Sequence, residues 1–496
     1  MNYTSTRDKK IQVSSAKAIA QGLSSEGGLF VPENLPKLTK EDVLALCGKT
    51  YPERAFEVFK LFLTDFTDEE IRHCVTNAYS TNFETENPAE ISHLLTGTYI
   101  MELWHGPTCA FKDMALQILP YLLTISAKKT INGKDIAILV ATSGDTGKAA
   151  LEGFKDVPGT SITVFYPEDG VSNMQKRQMT TQEGKNVNVC AVKGNFDDCQ
   201  NGVKAIFTDE ALKAELDKMN VVFSSANSIN WGRLSPQIVY YVSTYAELIK
   251  DGEIEYGEPI NIVVPTGNFG NILAAYYAKM MGIPVNKLIC ASNSNNVLTD
   301  FINTGVYDRN RKFYTTVSPS MDILISSNLE RLLYHLSGEN TDLINEWFGA
   351  LKTGGRYEVS ADVKAKVQEL FCAGCCNDDE TKAAIKEVFD EYNYLMDTHT
   401  AVAYKVYQDY KKNTGDTTKT VIASTANPYK FGAAVYSALG HNPEGVGDFE
   451  LIEKLEDLTG TTCPAPLAAT KDKEIRFKGC VEKQDMSKVV LDFLKK

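Results

Sequence analysis

Apolar runs long enough to span a bilayer are missing from this sequence, which excludes a helical membrane protein. An excess of basic charge is missing too. Fifty-one lysines and arginines stand against 64 acidic residues, and the resulting net charge of −13 opposes general attraction to nucleic acid or anionic membranes. Any anionic ligand must therefore meet a local site. The 11 cysteines are odd in number and lack even spacing, so no disulfide framework is expected; they point to a reducing compartment, the cytoplasm. Met1–Lys10 is polar and charged without an apolar stretch, and no secretory signal is expected. His-Glu-x-x-His and Gly-x-Ser-x-Gly do not occur, leaving zinc-protease and α/β-hydrolase chemistry without support. Cys372-x-x-Cys375-Cys376 has no second ligand pair at a related spacing and no histidine close by in sequence, so no metal site is expected; these read as thiols at a helix end. Solenoid repeats and low-complexity tracts are absent as well.

What is present is α/β grammar. At 496 residues the chain exceeds one ordinary core, so two or three packed units are expected. Short β-rich runs at Ile136–Val140, Ile162–Tyr166, Val187–Val192 and Val221–Ser224 alternate with helical segments near Thr146–Phe154, Val171–Thr181 and Leu234–Ile249. A second series runs through Ile260–Val264, Leu288–Ala291 and Val421–Ala423. The expectation is an α/β protein with two open, doubly wound sheets and an additional N-terminal subdomain. The units would be residues 1–98, 99–235 and 236–496, the last with a helical insertion at about 325–400.

Four turns combine strand ends with helix starts. Val263-Val264-Pro265 leads into Gly267, Asn268, Phe269, Gly270 and Asn271, where unpaired backbone N–H groups and the helix dipole suit a phosphate. Gly267 and Gly270 permit close approach. The Gly-x-Gly-x-x-Gly spacing is absent, so this is no Rossmann fingerprint, and taken alone the turn also reads as a plain strand-to-helix connection. Lys112 follows His105-Gly106-Pro107-Thr108-Cys109-Ala110-Phe111; apolar neighbours would desolvate its ammonium and ready it for an aldehyde, while a surface lysine beside Asp113 is the other reading. Thr142, Ser143, Asp145 and Thr146 surround a helix start and offer a carboxylate cradle, or an ordinary capped turn. Arg233 could clamp a phosphate with Asn227, Ser228 and Asn230 to orient it; capping plus a surface arginine is the alternative. Each turn falls at the carboxyl end of an expected strand or at a helix start, where open α/β sheets bind ligands.

Five motifs in order, Gln21–Pro32, His105–Asp113, Ala141–Gly147, Asn227–Arg233 and Gly267–Asn271, resemble those of the threonine synthase family of fold type II, tryptophan synthase β-like, pyridoxal-phosphate enzymes. The resemblance implies that Lys112 holds pyridoxal 5'-phosphate covalently and is the catalytic residue. Gly267, Asn268, Phe269, Gly270 and Asn271 would receive the cofactor phosphate, and Thr425 would place a hydroxyl at the pyridine nitrogen. Thr142, Ser143, Asp145 and Thr146 would receive the substrate carboxylate, and Arg233 with Asn227, Ser228 and Asn230 its phosphate. The reaction implied is O-phospho-L-homoserine and water to L-threonine and phosphate, by γ-elimination and β-addition of water. The family commonly has histidine where this chain has Asn427, so no acid or base role is expected there. Cys109 varies within the lysine motif and no catalytic thiol is expected. Another type II lyase, a threonine or serine dehydratase or a phospho-lyase, is the alternative. The partner expected is a small molecule, with no nucleic acid or membrane, and the assembly a monomer or homodimer.

Overall fold

The apolar runs form strands, and the strands sort into two sheets. The computed structural model describes residues 1–142, 144–168 and 171–495. Among them, a smaller sheet of parallel strands has the order Cys480–Val481, Val187–Val192, Thr160–Pro167, Asp135–Ala141, Val221–Ser224. A larger sheet has the order Phe371–Cys375, Val285–Ser292, Ile260–Pro265, Thr420–Ser424, Thr98–Glu102, Glu90–Leu95, parallel except for its last pair. Ile136 to Val140 is buried without interruption, as a parallel strand covered on both faces must be.

Sheet membership departs from the expected succession of units. Strands Glu90–Leu95 and Thr98–Glu102 belong to the larger sheet, across the expected boundary at 98/99, and the C-terminal strand Cys480–Val481 extends the smaller one. The expected helical insertion at about 325–400 contains Phe371–Cys375, which pairs with Val285–Ser292 and so forms the larger sheet's edge. Cys372 and Cys375 thus lie on a strand, and Cys376 just precedes Asn377, the cap of helix Asp378–Tyr392. Charged neighbours mask this strand, because an edge strand presents one side to water.

The N-terminal segment builds a three-stranded antiparallel sheet from Asn2–Ser5, Gln12–Ser14 and Phe30–Pro32. Helices Lys40–Cys47, Tyr51–Phe62 and Asp68–Tyr79 follow, each started by a threonine and an acid three residues on: Thr39 and Asp42, Thr50 and Glu53, Thr67 and Glu70. This unit docks on helix Trp231–Lys250, which is buried from Trp231 through Ala246. A helix covered all round belongs to the core. Trp231 meets Tyr3, Phe62 and Tyr277 at ring-centroid distances of 5.3, 5.6 and 5.6 Å.

The turns after Ala141, Ser224, Pro265 and Ser424, and the loop after Glu102, all leave the carboxyl ends of their strands. Helix Asp145–Phe154 is set against the lysine-bearing segment at Gly153, where a Cβ would overlap the Leu116 carbonyl oxygen. Gly153→Ala is therefore expected to cost about 1–3 kcal/mol of stability through overpacking, measured as a lowered midpoint of urea unfolding.

Candidate active site

Lys112 ends a loop that is held from both sides. Buried Asp113 accepts hydrogen bonds from the Thr108 amide at 2.8 Å and hydroxyl at 2.6 Å. Gly106 is needed there, since a Cβ would come within 2.6 Å of the Asp113 side chain. Cys109 takes a left-handed φ of 58°. The Phe111 amide donates to the Thr425 carbonyl at 2.8 Å and the Asn427 amide to the Cys109 carbonyl at 3.1 Å. Thr425 is thereby fixed beside the lysine loop. Burial pushes the Cys109 thiol well above its ordinary range, which keeps it unreactive.

The Lys112 amine lies 4.8 Å from the Phe111 ring centroid and 3.9 Å from Asp145 Oδ2. Burial lowers its pKa to about 8, against the pull of Asp145 and with the help of Lys430 and Arg233. A neutral amine, the form that attacks an aldehyde, is then far more accessible near neutral pH than for an ordinary lysine, though still the minor form. Asp145, expected among the groups that receive a substrate carboxylate, instead presents its own carboxylate to two lysines. Its Oδ1 is 2.9 Å from Lys430 Nζ and accepts from Gln175 Nε2 at 3.1 Å. Its Oδ2 accepts from the Ser320 hydroxyl at 3.4 Å. Burial opposes ionisation of Asp145, but Lys430 and Lys112 outweigh it and hold the carboxyl well below the usual carboxylate range.

The rest of that turn is also committed differently. The Thr142 hydroxyl accepts from the Gly144 amide at 3.0 Å and the Gly147 amide at 2.9 Å, so it shapes the turn and is not free for a ligand. Thr146 is half-buried in the first turn of helix Asp145–Phe154. Ser143 lies outside the described residues.

The Gly267–Asn271 turn has the geometry of an anion cradle. Phe269 takes a φ of 65° and caps helix Gly270–Met281, whose first N–H groups have no partner within the helix. A Cβ on Gly267 would stand 2.7 Å from the Ser320 carbonyl oxygen. Asn268 is exposed at the rim. Asn271 Oδ1 accepts from the Tyr240 hydroxyl at 2.8 Å and from Tyr241, leaving its Nδ2 buried without a partner.

Arg233 is buried in the first turn of helix Trp231–Lys250. Its Nη1 donates to the Ala226 carbonyl while Nε has no partner, and among the described residues no carboxylate lies within ion-pair distance. Burial alone lowers its pKa to about 10, so it stays charged. Asn230, expected to orient a phosphate, is consumed by the scaffold: its Oδ1 accepts from the Gly232 amide at 2.8 Å and its Nδ2 donates to the Ile19 carbonyl at 3.0 Å. Asn227 is exposed and Ser228 half-buried beside it.

Several residues here had no signal in the sequence. Buried Arg331 donates to the Phe30 carbonyl at 2.9 Å, the Ile229 carbonyl at 2.6 Å and Asn328 Oδ1. Asn328 Nδ2 donates to the Ser228 and Asn268 carbonyls, each at 3.2 Å. His399 Nε2 accepts from the Ser320 amide at 3.1 Å while its Nδ1 faces Asp397 at 2.8 Å. Lys430 is the one that could have been found, being a cation three residues after Asn427 in a strand-end turn.

The chain as a whole is similar to known proteins. Family models described as threonine synthase N terminus, pyridoxal-phosphate dependent enzyme, and threonine synthase, C-terminal match residues 2–79, 87–343 and 400–487. Human threonine synthase-like 1 is 43% identical over 86% of this chain, which spans 58% of that relative's length. The threonine synthase of Pseudomonas aeruginosa is 38% identical over 89% of this chain and 92% of its own. The solved structure of pyridoxal-phosphate-bound threonine synthase from Brucella melitensis superposes with a TM-score of 0.89 at 34% identity, covering 100% of both chains, and the yeast enzyme with 0.88 at 32%, covering 100% and 98%. With the family's three segments present in order and its fold reproduced from end to end, the chain belongs to the threonine synthase family of pyridoxal-phosphate-dependent enzymes.

Proposed function

We propose that this chain converts O-phospho-L-homoserine and water to L-threonine and phosphate, with Lys112 as the cofactor-bearing and proton-transferring residue. The observation that carries this reading is the buried Arg233, a cation without a carboxylate partner among the described residues, in the same site as the Lys112 amine. A fixed buried charge of that kind costs stability unless an anion meets it. The cofactor phosphate has its own cradle, so Arg233 is left for a second one, carried by the substrate. A threonine or serine dehydratase presents no second phosphate, and Arg233 disfavours that alternative.

The residues fit pyridoxal phosphate. The unpartnered Asn271 Nδ2 and the open amides of Phe269–Asn271 suit a phosphate, and Gly267 leaves room where a side chain would clash. Bound there, the cofactor supplies a conjugated ring that stabilises negative charge on substrate carbon. Thr425 offers its hydroxyl to the ring nitrogen, a neutral partner that leaves this nitrogen less protonated than a carboxylate would. Gly267, Asn268, Phe269, Gly270 and Asn271 hold the phosphate. As a free amine, Lys112 would take and return protons at the substrate Cα and Cβ from one face. Thr146, with Ser143 beside it in sequence, serves the substrate α-carboxylate; Arg233, with Asn227 and Ser228, serves its phosphate.

No helix among the described residues is long and apolar enough to cross a membrane. All 11 cysteines are free thiols, which supports the cytoplasm as the working compartment.

Incubation with phosphohomoserine is expected to release threonine and phosphate in equal amounts, and Lys112→Ala to release neither. Borohydride reduction of the loaded enzyme should leave a pyridoxyl mass on the Lys112 peptide; its appearance on another lysine would refute the assignment. Arg233→Ala is expected to raise KM for phosphohomoserine at least about 30-fold, from loss of a buried charge-assisted contact. The visible spectrum of the bound cofactor should stay as it was, and an unchanged KM would rule the clamp out.

A further inference from the structure

Lys430 is a buried cation that the proposed chemistry leaves without a task. Its side chain is 0% exposed and makes two polar contacts, to Asp145 Oδ1 at 2.9 Å and to the Thr108 carbonyl at 2.8 Å. Thr108 also ties down Asp113, the residue after Lys112, so Lys430 is anchored on the loop that carries Lys112. We propose that Lys430 is a positioning residue whose ammonium group takes up the Asp145 carboxylate and so leaves Lys112 free to be a neutral amine.

The geometry supports a division of one carboxylate between two lysines. Lys430 contacts Asp145 within hydrogen-bond range, whereas Lys112, at 3.9 Å, stands outside it. Without Lys430, Asp145 would be a buried carboxylate whose near cation is Lys112. Such a pair settles as carboxylate and ammonium, and an ammonium has no lone pair to offer an aldehyde. With Lys430 in place, the carboxylate is already compensated, and a second proton on Lys112 would put two ammonium groups beside one anion.

The other groups facing this trio do not take over that role. Arg233, on helix Trp231–Lys250, acts on Lys112 in the same direction as Lys430 but contacts no carboxylate. Asp113 is bound to Thr108, and burial raises its pKa to about 6, against the Thr108 hydrogen bonds and Lys430 and with Glu152 adding to the rise. Cys109 is held as a neutral thiol by burial. His399 lies behind Ser320, whose amide donates to its Nε2, and faces Asp397 through Nδ1. The inference rests on Lys112 being the reactive amine, but not on which substrate is turned over.

The test reads Lys112 itself. In the full-length chain stripped of cofactor, trace acetylation with acetic anhydride across a pH series, mapped by peptide mass spectrometry, gives the titration midpoint of that amine. Lys430→Met is expected to raise the midpoint by roughly one pH unit, so that labelling at neutral pH slows roughly tenfold. Adding Asp145→Asn removes the carboxylate as well and should return the midpoint close to that of the parent chain. A purely structural lysine would not be rescued by loss of its partner. If the Lys430→Met midpoint coincides with the parent in a chain that circular dichroism shows folded, or if the second substitution fails to bring it back, the proposal is overturned. Should Lys430→Met not fold, Asp145→Asn alone decides: it keeps the repulsion from Lys430 and removes the attraction, so the midpoint must fall, and a rise or no change refutes the idea. Neither readout uses phosphohomoserine, so a failure of turnover leaves this test standing.

Discussion

Charge taken out of water is the constraint around which this molecule is arranged. Asp145, Lys430, Arg233 and Arg331 are buried, and Lys112 is nearly so. Each such group must find an opposite charge or hydrogen bonds, or the fold weakens. Arg331 is answered by carbonyls, Lys430 by Asp145, and Lys112 by partial neutralisation. Arg233 has one carbonyl and, among the described residues, no anion. The site is thus built with a cationic remainder inside a protein of net charge −13. Overall repulsion of anions and local demand for them coexist because desolvated charges act over short range with little screening.

The positions of these charges depend on a second group of contacts remote in sequence. Arg331 joins the N-terminal sheet at Phe30 to the turn before helix Trp231–Lys250, and through Asn328 to the turn before helix Gly270–Met281. Ser326 adds a hydroxyl bond to the Gly267 carbonyl at 2.8 Å. The two helix starts are therefore spaced by one guanidinium and one amide. Planar, multiply donating Arg suits this junction in a way that a lysine would not.

Local signals in the sequence carried much of this fold. Val221–Ser224 appears with the bounds expected of it, and Asp135–Ala141, Thr160–Pro167 and Ile260–Pro265 extend their expected runs by a residue or two. β-branched runs between turn residues fix strands locally. Sheet membership was not legible, because the pairing of Thr98–Glu102 with Thr420–Ser424 joins segments that no short window compares. The lysine loop and the glycine turn were legible as motifs. Thr142, Asp145 and Asn230 were not, since a polar side chain at a helix start can serve the turn, a buried ion pair or a ligand, and only its neighbours in space decide which. Arg331 shows the same limit from the other side: a single basic residue reads as surface until burial is known.

The seat of Thr420–Ser424, between Ile260–Pro265 and Thr98–Glu102, bears on how the protein comes into being. As the chain leaves the ribosome, the larger sheet exists as two unjoined pieces until this late strand emerges, and long-range parallel pairing of that kind closes slowly. Thr425 and Asn427, on which the lysine loop rests, arrive with the same strand. A nascent or truncated chain that stops short of it has two raw sheet edges and lacks the backbone bonds that tie the lysine loop to Thr425 and Asn427.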